Sequence, residues 1–218
     1  MTVIAVVDYD MGNLHSACKG LTQAGVEPIV TDSAKEIDRA DAVVLPGVGS
    51  FDPAIRQLRD RGLEAPIKRA IAQGKPFLGI CLGLQLLFDS SAEGVEPGLG
   101  IVAGTVRAFV PEPGIAVPHM GWNQLALTQP DSLLWEGIDH APWVYFVHSY
   151  YVAPADPAMV AATTTHGSQT VTAAIHGAAL DSGCPNVMAV QFHPEKSAGS
   201  GLRLLANFAA NVRSRVTC

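Results

Sequence analysis

The sequence is poor in charge: Asp, Glu, Lys and Arg make up 16% of its 218 residues, against about a quarter in an ordinary soluble domain. Combined with 48% hydrophobic residues, this scarcity excludes a disordered chain and leaves apolar surface that another protein could cover. No long basic run occurs, and 14 basic against 20 acidic residues give a net charge of −6, so no nucleic-acid partner is expected. No apolar run approaches the ~18 residues needed to cross a bilayer, so no membrane segment is expected either. Cysteine is sparse. Cys18, Cys81, Cys184 and Cys218 are widely scattered with no CxxC pair, which argues against a disulfide framework or a structural zinc site. The N-terminal MTVIAVVDYDMGN has neither a basic start nor a small-residue cleavage site, so it does not read as a signal peptide. A reduced, cytoplasmic protein is the expectation. Repeats, low-complexity tracts and long polar linkers are missing too. A chain of this length can bury roughly 70% of its unfolded surface, enough for one domain spanning residues 1–218.

What is present alternates. Val3–Val7 is an apolar run of strand length, followed by the turn-forming Asp8–Gly12. Asn13 can then cap a helix to about Ala24, with Gly25 where left-handed dihedrals cost least. Strands are predicted at Glu27–Thr31, Ala42–Leu45 and Pro76–Ile80. Between them a helix starts at Asp52-Pro53 and another covers Ala65–Gln73; a further helix is predicted over Leu82–Asp89. Alternation of this kind predicts an α/β fold, an open, mostly parallel sheet flanked by helices. The second half changes texture. Ile101–Phe109, Gln124–Leu127, Val144–Val147, Tyr150–Val152, Val160–Thr165 and Val171–Ile175 are strand-like between Pro/Gly turns. They predict an antiparallel β excursion before a last strand at Val187–Phe192 and a helix at Gly201–Val212.

The chemistry concentrates in Gly79-Ile80-Cys81-Leu82-Gly83, at a predicted strand–helix junction. A nucleophile there sits on a sharp elbow between residues small enough to permit the turn, as in the serine version of the device. The helix N-terminus favours thiolate over thiol, and the Leu82 N–H can face an oxyanion forming on an attacked carbonyl. On these five residues alone, Cys81 reads equally well as a small buried apolar residue. A cysteine nucleophile needs a base, and the base needs an orienting acceptor. Gln191-Phe192-His193-Pro194-Glu195 supplies both: Glu195 can hold one ring nitrogen of His193, and Pro194 stiffens the link. Together with the elbow, a His-Pro-Glu ending a late strand points to catalysis at the C-terminal edge of a parallel sheet.

This order of motifs resembles the class I (triad-type) glutamine amidotransferases. Their glycine loop after an earlier strand is matched by Leu45-Pro46-Gly47-Val48-Gly49-Ser50-Phe51. The resemblance implies that Cys81, His193 and Glu195 are the catalytic triad and that Val48 and Leu82 supply the oxyanion N–H groups. It also implies that Gly49 and Gln85 contact an L-glutamine substrate. Three further stretches are similar to a stand-alone glutaminase subunit of histidine biosynthesis. They are Asp8-Tyr9-Asp10-Met11-Gly12-Asn13, Pro118-His119-Met120-Gly121-Trp122-Asn123 and Val147-His148-Ser149-Tyr150-Tyr151. From that similarity His148, Ser149 and Tyr150 are expected to hold the amino-acid end of glutamine. Asn13, Trp122 and Lys196 are expected near a face that docks on a (β/α)8-barrel cyclase subunit as a heterodimer. No cofactor is implied, and the remaining histidines show no zinc-ligand spacing.

Blander readings remain beside these. His-Ser-Tyr-Tyr also reads as a strand end with a cross-strand aromatic, and Trp122 as a core anchor. The same family serves other acceptors, such as anthranilate, guanylate or pyridoxal phosphate synthases. A different class altogether is a non-catalytic scaffold with Cys81 as a redox sensor, which would have no use for His193 or Glu195.

Overall fold

Ile4, Ala5, Val6 and Val7 are all fully buried, as an apolar strand is when helices cover both faces of its sheet. They form β1 (Ile4–Val7) in the computed structural model, which describes residues 2–177 and 184–216. The chain continues through α1 (Leu14–Gln23), β2 (Pro28–Thr31), α2 (Ala34–Arg39), β3 (Ala42–Gly47), α3 (Phe51–Asp60) and α4 (Glu64–Ala72). Next come β4 (Phe77–Cys81), the one-turn α5 (Leu82–Gln85), β5 (Ser90–Ser91), β6 (Gly104–Ala108), β7 (His119–Gln124) and β8 (Ala126–Leu127). The last elements are β9 (Trp143–His148), β10 (Tyr150–Pro154), β11 (Val160–His166), β12 (Gln169–His176), β13 (Val187–Val190) and α6 (Ala198–Val216). Cys218 lies outside the described residues.

The main sheet runs β2-β1-β3-β4-β13-β12-β11-β8. Its first five strands are mutually parallel, and β12, β11 and β8 add on antiparallel. Strand alternation divides the interior into two cores. Ala5, Val7, Val43, Leu45 and Phe77 meet Ile37, Ile55, Leu58 and Ile67 of α2, α3 and α4 on one face. Ile4, Val6, Ala42, Val44 and Leu78 meet Leu21, Leu204, Leu205 and Phe208 of α1 and α6 on the other. Outside this sheet lie a three-stranded one, β10-β6-β5, and the two-stranded ribbon β7-β9. The expected α/β architecture with an antiparallel second part is what the chain adopts.

Asn13 caps α1, its side-chain oxygen accepting the Ser16 N–H at 3.4 Å, and Gly25 follows with φ +82°. Several elements differ from expectation. The α2 helix went unread because six residues with only Ile37 buried carry no period. Ser50, rather than Asp52, takes the cap position of α3, because the Asp52 carboxylate accepts the Val95 and Glu96 N–H groups at 3.1 Å instead. The helix expected over 82–89 stops at Gln85. Leu84, Leu86, Leu87 and Phe88 are all buried, and the 86–88 carbonyls take N–H groups from Leu99, Gly100, Ile101 and Val102 instead of extending the helix. The ribbon strand β7 was hidden by Pro118 and Gly121; it is fixed by β9, with His119 opposite His148 and Trp122 opposite Tyr145.

Parallel register then sets the C-terminal ends of β3, β4 and β13 side by side, with Gly47 level with Cys81 and Ile80 level with Val190. Three loops leave from that edge, and they carry the glycine loop, the cysteine and the histidine.

Candidate active site

Cys81 ends β4 with φ 55° and ψ −112°, a conformation that side-chain-bearing residues rarely adopt and that costs about 1–3 kcal/mol. The two glycines around it are required by space. A Cβ on Gly83 would lie 1.9 Å from the Leu45 carbonyl oxygen, and one on Gly79 would lie 3.0 Å from both the Ala189 Cβ and the Gly83 oxygen. The elbow therefore packs backbone against backbone, and the thiol projects from a strained corner into a cleft. Because α5 is one turn long, its dipole is far weaker than an eight-residue helix would supply. Support for a thiolate falls instead on neighbouring side chains.

His193 follows β13, and its backbone N–H donates to the Tyr145 carbonyl at 3.0 Å. A tight 3₁₀ turn, Pro194–Lys196, folds Glu195 back so that its Oε1 lies 2.8 Å from His193 Nδ1. Close packing of α1 makes room for this turn. A Cβ on Gly20 would meet the Leu205 Cδ1 at 2.7 Å and the Glu195 Cβ at 3.3 Å. The His193 and Glu195 side chains are almost wholly buried. Burial pulls the imidazole pKa down, but the Cys81 sulfur and then the Glu195 carboxylate outweigh it and push His193 up to about 9. Nδ1 is committed to Glu195. Nε2, buried with no hydrogen bond of its own, is the nitrogen left for the sulfur and a leaving group.

The two N–H groups expected to face an oxyanion are unequal. Leu82 N–H opens α5, where no intrahelical acceptor exists. Val48 N–H is not free: it donates to the Met11 carbonyl at 2.7 Å. The N–H expected to face an oxyanion is therefore already committed in this conformation.

A cleft of about 320 Å³ opens over Cys81 and His193, lined also by Gly49, Gln85, His148, Ser149 and Tyr150. Two of these side chains have less to offer a ligand than expected. His148 donates from Nδ1 to the Tyr150 carbonyl at 2.8 Å, and its Nε2 meets His119 Nδ1 at 3.0 Å. Burial pushes its pKa down to about 3, so the ring is neutral and turned inward. The Gln85 amide nitrogen spends both hydrogens, on the Tyr150 carbonyl and on Gln191 Oε1, each at 3.1 Å, which leaves its oxygen. Glu93 also lines the cleft and was missed in the sequence. It sits in a loop clamped to α3 by Asp52, and its Oε2 accepts the Phe51 N–H at 2.9 Å. No spacing signal marks it, since only the folded loop brings it to the wall.

The three residues expected at a partner face lie outside the cleft lining, on the ribbon, on the turn after His193 and at the start of α1. Trp122 is half exposed, edge-on to Tyr145 at 6.2 Å between ring centroids, so it is no core anchor. Lys196 is exposed at the end of the Pro194–Lys196 turn. Asn13 is half-buried as the α1 cap. Met120 and Trp143 on the ribbon, Val117 just before it and Val48 in the glycine loop are exposed apolar residues too. Among the described residues no three His, Cys, Asp or Glu side chains are grouped to hold a metal, and no helix is long and apolar enough to cross a membrane.

Comparison with known proteins gives the same family from two directions. The family described as "Glutamine amidotransferase class-I" matches residues 5–212. An "Imidazole glycerol phosphate synthase subunit HisH" from Nostoc punctiforme is 66% identical over 216 residues, covering 99% of both chains. One of the same name from Synechocystis sp. is 64% identical over 212 residues, covering 97% of this chain and 98% of that one. Among solved structures, a "glutamine amidotransferase" superposes with a TM-score of 0.71 at 17% identity, covering 96% of this chain and 98% of that one. "PurLQS from Thermotoga maritima" gives 0.71 at 21%, with the same coverage. At such identities these structures speak for the fold alone.

Proposed function

The chain belongs to the class I glutamine amidotransferases, and from that premise we propose that it works as the glutaminase subunit of an imidazole glycerol phosphate synthase, in histidine biosynthesis. The observation that carries the reading is the buried Glu195–His193 pair at 2.8 Å, set beside a cysteine on a strained, glycine-flanked elbow at the floor of a cleft.

In this reading residues 1–218 act as one amidotransferase domain in the cytoplasm, on free L-glutamine. The Cys81 sulfur attacks the carboxamide carbon. Leu82 N–H, joined by Val48 N–H once its peptide has turned, stabilises the oxyanion. His193, charged through Cys81 and Glu195, protonates the departing ammonia and then takes a proton from the water that hydrolyses the γ-glutamyl thioester. The single carboxylate of the cleft wall, Glu93, fits the α-ammonium of the amino acid, and the free Gln85 oxygen lies on the same wall.

Ammonia released into water would be protonated and lost to the acceptor. We infer that the cleft delivers it into a (β/α)8-barrel cyclase docked over the exposed Trp122 ribbon, where it reacts with a phosphoribulosyl-formimino carboxamide ribotide. The Met11-bound state of Val48 supports a subunit that idles alone. The test is steady-state glutamate release by the chain alone, with cyclase, and with cyclase plus ribotide. A large rise across the series is expected, and equal rates in all three would leave an independent glutaminase.

A further inference from the structure

Between the exposed ribbon and the nucleophile lies a run of buried polar side chains that the triad does not use. Gln191 is 0% exposed, and Gln85, His119 and His148 are also buried. Polar groups so deep need partners, and the partners here fix every proton. A carbonyl only accepts, so the Tyr150 oxygen takes an N–H from His148 Nδ1 at 2.8 Å. His148 Nε2 is then the acceptor, and His119 Nδ1, at 3.0 Å, must be the donor. His119 Nε2 in turn accepts from Asn123 Nδ2 at 3.1 Å, while the second hydrogen of that amide goes to the Thr165 carbonyl at 2.8 Å. From the other side, Gln85 Nε2 donates to the same Tyr150 oxygen and to Gln191 Oε1, each at 3.1 Å. The Gln191 amide is thereby oriented, oxygen toward Gln85 and nitrogen toward Cys81, with Nε2 3.7 Å from the sulfur.

We propose that Gln191 is a further catalytic residue, the donor that holds the Cys81 sulfur as thiolate, and that His119 and Asn123 are positioning residues that fix it from the ribbon. The proposal deepens the glutaminase reading and rests on it only for its kinetic arm. Both branches donate into the Tyr150 carbonyl, so no proton can travel along the chain; what it transmits is position. The chain starts on β7, whose Met120 and Trp122 face outward on either side of Gly121. A partner that shifts this ribbon moves Asn123 and His119, and through His148 and Tyr150 it moves the Gln85–Gln191 pair. Neutral histidines are a condition of the scheme. Burial, with His166 stacked 4.3 Å away, holds His119 near 4, and burial holds His148 near 3. The short α5 helix leaves the sulfur in need of such a donor.

Two measurements test this on the full chain. The rate at which iodoacetamide alkylates Cys81 at pH 7, followed on the Cys81 peptide by mass spectrometry, reports how much of the sulfur is thiolate. Glutamine turnover with the cyclase gives kcat and KM. Gln191→Met keeps the shape and removes the donor; Gln191→Leu is the second variant should the first fold poorly, as judged by thermal unfolding. Alkylation and kcat are both expected to fall about tenfold, the low end for a hydrogen bond to a charged group, with KM within about twofold. His119→Phe, which keeps the ring packing and removes both nitrogens, is expected to slow alkylation about threefold. His119→Asn, whose amide nitrogen replaces Nδ1, is expected to restore most of it. Alkylation within twofold of the parent in the Gln191 variants overturns the proposal for Gln191, whatever happens to turnover. A His119→Asn protein as slow as His119→Phe overturns the positioning chain.

Discussion

Replacing Glu195 by glutamine tests the charge balance of the site without changing its shape. The carboxylate accepts from His193 Nδ1 at 2.8 Å, and both side chains are at most 4% exposed, so little solvent screens the pair. A hydrogen bond to a charged group contributes about 1.5–3 kcal/mol, equivalent to one to two units of pKa. Its loss is expected to bring His193 from about 9 down toward about 7 to 8. The charged form of His193 then titrates away across the assay range. In the assembled complex the alkaline limb of kcat/KM is expected to move down by one to two units, with a loss of about twofold to tenfold at pH 8. Stability moves with it. The folded pKa of His193 lies above its unfolded value of 6.5, so its contribution is fully present below pH 6.5 and is lost as pH rises through about 9. That contribution is at most about 3 kcal/mol, and the variant is expected to keep about half. The assays are kcat/KM from pH 6 to 10 and urea unfolding at pH 6 and 10. An unshifted alkaline limb together with an unchanged pH difference in stability would refute the role given to Glu195.

Gly83→Ala forces a Cβ against the Leu45 oxygen at 1.9 Å; it is expected to cost about 1–3 kcal/mol or more and to lower Tm and turnover together. Cys81→Ala is expected to abolish glutamate release while the complex still uses added ammonium. Because position 81 has φ 55°, Cys81→Gly is expected to be about 1 kcal/mol more stable than Cys81→Ala in urea unfolding, the reverse of the usual order. Trp122→Ala removes a half-exposed ring; it is expected to leave Tm within about 2 °C and to weaken cyclase binding at least tenfold by titration calorimetry.

The sequence by itself determined the parallel half of the fold and singled out the cysteine, histidine and glutamate that the structure brings together. Apolar runs such as 3–7 and 42–45 are strands because both faces of the sheet are covered, and that property is local. Gly-x-Cys-x-Gly and His-Pro-Glu are equally local, since the elbow needs small neighbours and the histidine needs a rigid link to its acceptor. Only the tertiary structure decided how far each group is ready to act. The one-turn length of α5 follows from Leu86–Phe88 bonding to the 99–102 segment, a partner far along the chain. Val48 N–H is withdrawn because Met11, 37 residues earlier, takes it. Glu93 reaches the cleft because Asp52 clamps its loop, and His148 is turned inward because His119 and the Tyr150 carbonyl claim both its nitrogens. Hydrogen bonds between distant segments leave no periodicity in a sequence, since each partner is chosen by the fold that has already brought it within about 3 Å.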